Sequence, residues 1–381
     1  MGTNCVNCRQ QTLEDIQGFD QLPRVSSDCR PMSAGGRLSI CRSCGTVQKP
    51  ADAKWLKETD AIYQNYALFD DPNQFDQMMF TADGVSVRRS VKVLKYLLEN
   101  WNAPMEGRLL DVGSGNGAAL DAFASLKKSW RLFALDITDR GAESLAAIPG
   151  FEKLYTGGIQ EVDGRFDLIT AIHCLEHLQS PQEMLAGIYN SLSQNGCLVV
   201  QVPDHMSNPF DLLIADHRSH FSPSILARMA EEAGFNVMLA SDKLLHKEIS
   251  IVAIKGEKSF VTLQTIDIDT ARTAIEKRID WLHRLLLLGL ESSTSSRPFG
   301  FFGTSIAATA FANPMLERVN FFVDEDEQMI GKSWLGKPVL STGEIPGNAL
   351  VFAPMAPLIA QRLAKRFKEA NFDVLIPPPL D

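Results

Sequence analysis

The 381-residue sequence predicts an α/β protein with a central Rossmann-like sheet, a small four-cysteine module ahead of it and a second Rossmann-like α/β unit behind it. Three observations carry that expectation. Apolar runs of strand length alternate with helical stretches over the middle of the chain, the pattern of a doubly wound parallel sheet. The stretch Leu109-Leu110-Asp111-Val112-Gly113-Ser114-Gly115-Asn116-Gly117 joins a strand to a helix through three glycines at alternate positions. Two Cys-x-x-Cys pairs, Cys5/Cys8 and Cys41/Cys44, precede both. The chain accordingly divides into 1–50, a helical connector or lid over 51–102, the sheet domain 103–255, and a helix plus α/β domain over 256–381.

The glycine stretch organises the rest. Glycine admits positive φ and lets a ligand approach the main chain without a Cβ in the way. The spacing is GxGxG and not the GxGxxG of a dinucleotide fold. Asp111 stands inside the strand end, where it would repel a pyrophosphate and welcome a cationic or hydroxyl-bearing ligand, which favours S-adenosylmethionine over NAD. Arg131–Asp136 is a second strand ending in an acid, at about the ~20-residue distance at which such sites put a carboxylate on ribose hydroxyls. Further strands follow at Phe166–Ala171 and Gly196–Val202, and the first of these leads into His173-Cys174-Leu175-Glu176-His177. There His173 and Glu176 are placed at the cofactor's edge, and the Glu176-His177 pair opens a helix where it caps or packs more readily than it catalyses. Taken in order, these four elements resemble the class I S-adenosylmethionine-dependent methyltransferases. The resemblance assigns Asp111, Gly113, Ser114, Gly115, Gly117 and Asp136 to the cofactor.

Composition narrows the partners. The formal net charge of −9 leaves no overall basic footprint, and no local basic patch is visible, so nucleic acid is not expected. Apolar runs such as Leu285–Leu288 fall far short of a membrane span, and the start of the chain has no signal-peptide pattern; a soluble cytoplasmic protein acting on a small molecule is expected.

Each Cys-x-x-Cys pair can present two thiolates to one ion. Cys5, Cys8, Cys41 and Cys44 together make a tetrahedral all-sulfur zinc site, structural because no coordination position stays open. The competing redox reading expects one such motif near a βαβ unit. The long gap between the pairs leaves room for a hairpin around Gly35-Gly36, Cys29 is a bystander, and Cys174 and Cys197 read as small core residues. In the connector, Ala61–Leu68 and Val87–Trp101 show helical spacing, and Tyr63, Tyr66, Asn73, Gln74 and Phe75 are rich enough in aromatic and amide groups for a lid.

Beyond the strand that ends at Pro203 lie Asp204-His205 and Asp216-His217-Arg218-Ser219-His220-Phe221-Ser222-Pro223, at the carboxyl edge where open α/β sheets bind ligands. A histidine beside a carboxylate can take a proton near neutral pH. A general base ranks first here, loop capping second, and a metal held by His217 and His220 third. After an amphipathic helix over Thr270–Leu290, strands at Phe299–Phe302, Val319–Asp324, Ala349–Phe352 and Phe372–Ile376 make a Rossmann-like half that lacks the third glycine of a dinucleotide turn.

With Gly300-Phe301-Phe302-Gly303-Thr304 and Val323-Asp324 added, the whole chain is similar to the three-domain sugar C-methyltransferases that act on nucleotide-linked keto-deoxysugars. The family carries its base on Glu-His-x-x-Tyr/His-Phe-Ser, and the matching residues are Asp216 to Ser222, with Asp in place of Glu. The resemblance therefore implies His217 as base, Asp216 as its partner, His220, His205 or a tyrosine hydroxyl as donor to an enolate, and Tyr63 or Tyr66 near the substrate. An O- or N-methyltransferase keeps every cofactor motif and needs no enolate donor; a binding protein that has lost catalysis would keep the fold and the zinc.

Overall fold

The computed structural model describes residues 4–66, 78–80, 86–256 and 267–380. The proposed lid residues Asn73, Gln74 and Phe75 lie outside the described residues.

The N-terminal module consists of short strands: β1 (Leu13–Asp15), β2 (Arg24–Val25), β3 (Pro31–Met32), β4 (Ser39–Cys41) and β5 (Val47–Gln48). β4 pairs antiparallel with both β1 and β5, and β2 pairs with β3. α1 (Ala53–Gln64) starts at Asp52, whose carboxylate accepts from Trp55 N at 2.9 Å and so satisfies one of the open amides of the first turn. The helix ends at Gln64, so Tyr66 stands beyond it and not on it. The connector is also less helical than expected. β6 (Met78–Phe80) and β7 (Ser86–Arg88) form an antiparallel hairpin before α2 (Arg89–Asn100).

The central sheet is assembled from β8 (Arg108–Val112), β9 (Arg131–Asp136), β10 (Phe151–Thr156), β11 (Phe166–Ile172) and β12 (Leu192–Pro203), interleaved with α3 (Ala118–Leu126), α4 (Ala142–Ala146) and α5 (Pro181–Ser191). After β12 come the two-residue β13 (Ser219–His220), α6 (Pro223–Glu232), β14 (Asn236–Ser241) and β15 (Glu248–Ile254). The order across the sheet is β10-β9-β8-β11-β12-β15-β14. The expectation of an all-parallel sheet is corrected at β15, which runs antiparallel to both neighbours. Only residues 242–247 separate β14 from β15, too few for the crossover of a dozen or more that a parallel return needs. Alternation along β8 sends Leu110 and Val112 to one apolar layer, with Phe166, Ile169 and Phe221, and Leu109 to the other, with Val93, Leu120 and Phe123.

β13 does not join this sheet. It adds to the N-terminal module, Ser219 opposite Gln48 and His220 opposite Val47, giving the order β1-β4-β5-β13. The preceding segment is stitched to the same module: Ala215 N donates to Val25 O at 2.8 Å, and Trp55 Nε1 donates to Ala215 O at 2.9 Å.

α7 (Ile268–Ser292) then buries Ile275, Ile279, Trp281, Leu282 and Leu285. The second α/β domain holds β16 (Phe299–Phe302), α8 (Ile306–Ala312), β17 (Phe321–Val323), β18 (Ser333–Trp334), β19 (Lys337–Leu340), β20 (Ala349–Phe352), α9 (Pro357–Arg366) and β21 (Phe372–Leu375). Its sheet order is β18-β19-β17-β16-β20-β21, parallel except at β18. Phe19 and Ile40 of the module share one core with Leu282 of α7 and Phe301 and Phe311 of this domain. No helix among the described residues is long and apolar enough to cross a membrane.

Candidate active site

At the carboxyl end of β8 the chain turns through Gly113, Gly115 and Gly117, whose φ angles are 73°, 51° and 87°. A Cβ in that region costs about 1–2 kcal/mol, and here the space is taken as well. A Cβ on Gly113 would lie 2.9 Å from Cys174 Sγ, and one on Gly117 2.5 Å from Ile148 Cδ1. Gly115 N donates to Asp136 Oδ2 at 2.9 Å and Thr138 N to Oδ1 at 3.3 Å, which fastens the acid of β9 to the glycine turn. Asp111 is buried and accepts from Thr170 Oγ1 at 2.6 Å; burial pushes its carboxyl up to about 7, and burial raises Asp136 too. Ser114 Oγ is buried with no hydrogen-bond partner. Two desolvated acids without an ion pair among the described residues and an orphaned hydroxyl, set around a turn with no room for a Cβ at Gly113 or Gly117, fit a ligand carrying cationic and hydroxyl groups. S-adenosylmethionine is such a ligand.

β11 ends in a turn over His173–His177. His173, at φ 51°, has Nδ1 3.2 Å from Glu176 Oε1 and Nε2 3.1 Å from Glu248 Oε2. Burial opposes its charge, but the two carboxylates outweigh burial and hold the imidazole up at about 9. The two residues assigned to the cofactor's edge thus form an ion pair closed by Glu248, which the sequence reading missed. Cys174, which fills the space beside Gly113, and His177 flank Glu176, so the glycine turn and the histidine cluster are one turn of chain apart.

The cluster centres on Asp211, in the turn Pro209–Leu213. His217 Nδ1 donates to Asp211 Oδ1 at 2.7 Å, and His220 Nδ1 to Asp211 Oδ2 at 2.6 Å. Burial would raise this carboxyl, but the two imidazoles outweigh it and hold it well below the usual range. Asp216 is not the partner of His217. Its Oδ1 accepts from Ser27 N at 2.8 Å and its Oδ2 from Ser27 Oγ at 2.6 Å, with His177 Nδ1 3.3 Å away. Asp216 stands in a turn that His217 N closes on Ile214 O at 3.3 Å, and from there its carboxylate faces Ser27 and not the His217 ring. Here too burial pushes the Asp216 carboxyl up, but His177 and the other neighbours hold it below the usual range.

The rings of His217 and His177 meet edge to face at 4.5 Å, and His217 Nε2 has no hydrogen-bond partner among the described residues. Tyr63 OH lies 3.0 Å from His177 Nδ1, and Tyr66 OH 3.2 Å from Ser27 Oγ, with the tyrosine rings 5.9 Å apart. Burial pushes both phenols above their ordinary value, so both stay protonated. His205 packs on His220 with ring centroids 5.9 Å apart. Lys49, the residue after β5, is fully enclosed; its Nζ donates to His217 O and to His220 Nε2, each at 2.9 Å. Asp211, Ser27 and Lys49 were therefore missing from the sequence reading, which gave His177 a capping or packing role. A metal shared by His217 and His220 is not what the geometry groups: it is Glu176, His177 and His217 whose donor atoms approach within 4.8 Å of one another.

In the module, Cys5 Sγ lies 3.5 Å from Cys44 Sγ and Cys8 Sγ 3.5 Å from Cys41 Sγ. Four sulfurs about 2.3 Å from one zinc would stand about 3.8 Å apart, so the cluster needs only slight opening to hold it. Thr12 Oγ1 at 3.2 Å from Cys41 Sγ and Thr46 Oγ1 at 3.1 Å from Cys44 Sγ supply hydroxyls to the thiolates. In the C-terminal domain Asp324 Oδ2 accepts from Thr304 N at 2.9 Å and Oγ1 at 2.7 Å, so this strand-end acid is occupied by its own turn.

Residues 87–240 match a family described as a methyltransferase domain. Ribosomal RNA small subunit methyltransferase C of Serratia proteamaculans is 26% identical over 195 residues, which cover 48% of this chain and 54% of that protein. Trans-aconitate 2-methyltransferase of Methylobacterium nodulans is 29% identical over 138 residues, 35% of this chain and 52% of that protein. The chain spans about half the length of the curated relatives it matches. A solved S-adenosylmethionine-dependent methyltransferase from Clostridium acetobutylicum aligns over 53% of this chain and 99% of its own, at 11% identity and a TM-score of 0.37. The family match and the sheet order coincide over the central part of the chain, which carries a methyltransferase domain.

Proposed function

We propose that the protein transfers a methyl group to the carbon beside the ketone of a nucleotide-linked keto-deoxysugar, with His217 as general base and a structural zinc on Cys5, Cys8, Cys41 and Cys44. One observation carries the reading: His217 Nδ1 is closed by Asp211 at 2.7 Å while its other nitrogen has no partner among the described residues, one ring contact from His177, which Tyr63 OH meets at 3.0 Å. The cofactor, when bound, supplies an electrophilic methyl group on a sulfonium. Asp136 and the Ser114 hydroxyl would hold it beside the glycine turn. A ketone acidifies the C–H beside it; His217 Nε2 takes that proton and becomes an imidazolium opposite ionised Asp211. The electron pair left on carbon forms the new C–CH3 bond as the S–CH3 bond breaks, and S-adenosylhomocysteine leaves. The Tyr63 hydroxyl, kept protonated by burial, is a donor for the enolate oxygen, with His177 beside it. The acidic net charge supports a small acceptor over the ribosomal RNA named for one relative.

The test is methyl transfer from labelled S-adenosylmethionine to a panel of nucleotide-linked sugars in heavy water, with mass spectrometry of recovered substrate. Methylated keto-sugar carrying solvent deuterium beside the ketone is expected, and His217→Asn should abolish both signals while cofactor binding persists. Cofactor binding without methylation or exchange of any keto-sugar would overturn carbon methylation in favour of hydroxyl or amine acceptors.

A further inference from the structure

Asp211 offers its two oxygens to two histidines at nearly equal distances, His217 at 2.7 Å and His220 at 2.6 Å. A single buried carboxylate can stabilise one imidazolium well, so something must decide which ring takes up the proton. The groups around His217 are Asp211, His177, Asp216 and Glu176, all on the methyltransferase domain. Those around His220 are Asp211, His205 and, from the N-terminal module, Lys49, which itself feels Asp211, Asp216 and Arg24.

The difference lies in Lys49. When charged, its nitrogen has only hydrogens to give. It sits 2.9 Å from His220 Nε2 and 2.9 Å from the His217 carbonyl, fully enclosed. His220 Nε2 must therefore accept, its one ring hydrogen must lie on Nδ1, and that hydrogen points at Asp211 Oδ2. Protonating His220 would set an N–H against an N–H and a cation beside a cation. His217 has no such neighbour at its Nε2. We infer that Lys49 selects His217 over His220 as the proton acceptor, by holding His220 in its neutral Nδ1–H tautomer. Lys49 is thus a positioning residue that acts through His220 and Asp211. The inference rests on His217 being the base. Burial, reinforced by Lys49, pushes His220 down to about 3, and burial lowers Lys49 to about 7, so the ammonium that bars a proton from His220 is present below that pH, where an imidazole would otherwise gain one.

Histidine nitrogen NMR on the full-length protein between about pH 5 and 8 tests the inference without any substrate. In the wild type His220 stays the neutral Nδ1–H tautomer throughout. In Lys49→Met it gains a proton or a mixed tautomer within that window; should methionine not be accepted, Lys49→Leu, likewise without a donor, makes the same comparison. Turnover of Lys49→Met falls by about tenfold or more with little change in KM. Adding His220→Asn, whose amide can still donate to Asp211 but cannot take a proton, restores part of it, which a merely structural lysine would not allow. A His220 that keeps its wild-type tautomer and neutrality in Lys49→Met, or a double variant no faster than the single, overturns the inference. A His217→Asn enzyme that keeps its turnover overturns the functional reading instead, and leaves the His220 titration where it was.

Discussion

Replacing Asp211 by Asn keeps the shape of the cluster and removes its charge. The amide has one oxygen and one NH2 group to set against two imidazoles that both donate. His220 cannot turn its hydrogen round, because Lys49 Nζ donates to its Nε2 at 2.9 Å, so it keeps the oxygen. The NH2 group then faces His217, whose Nδ1 must accept, moving its hydrogen to Nε2. The nitrogen meant for the substrate proton is thereby filled. Positioned bases contribute about 10²–10⁴-fold, and a carboxylate-to-amide change that imposes the wrong tautomer falls at the upper end of such losses, so turnover should drop by about 10²–10⁴-fold. Two hydrogen bonds to a charged group, each worth about 1.5–3 kcal/mol, are weakened, so some stability goes as well. The assay is labelled methyl transfer at saturating substrate beside calorimetric titration with S-adenosylmethionine, whose site at Asp136 is untouched. Turnover within about tenfold of wild type would refute the reasoning about tautomers.

The His173 imidazole, held up at about 9 by Glu248 and Glu176, adds stability that is full below its unfolded value near 6.5 and is lost as pH rises through 9. With a quarter of the side chain reaching solvent, the increment is about 1–2 kcal/mol, seen as a fall in the urea midpoint from about pH 6 to 9 that His173→Asn lacks; an equal fall in both proteins would refute it. Cys41→Ser should remove zinc, measured as about one ion per chain in wild type, and should speed amide exchange at Ser219 and His220, which pair with β5 a few residues beyond Cys44; metal-free protein with β13 still protected would refute the coupling.

The central sheet was legible because its signals are local. Strand-length apolar runs, glycines where the chain needs positive φ, and acids at strand ends each announce themselves within ten residues, as at Leu109–Gly117 and Arg131–Asp136. The reversal of β15 was legible in principle from the six residues before it, but the doubly wound pattern masked it. The site was legible as a neighbourhood and not as a set of bonds. His217 and His220 stood out by residue type, but the adjacent acid was given to His217 when its true partner is Asp211, six residues upstream in another turn. Side-chain direction in irregular segments depends on tertiary contacts, which a window along the chain does not contain. Lys49 was invisible for the same reason at longer range: its partner His220 is 171 residues away.

That separation bears on how the chain is made. The edge of β5 leaves the ribosome long before β13 exists, and until residues 219 and 220 arrive it is an open row of unpaired amides and carbonyls. If the N-terminal module folds first, the β5 edge is the template on which the histidine loop docks. A chain stalled or cut before β13 would carry the same edge with nothing to cover it, and sheet-edge association between such fragments is the failure to which this architecture is most exposed.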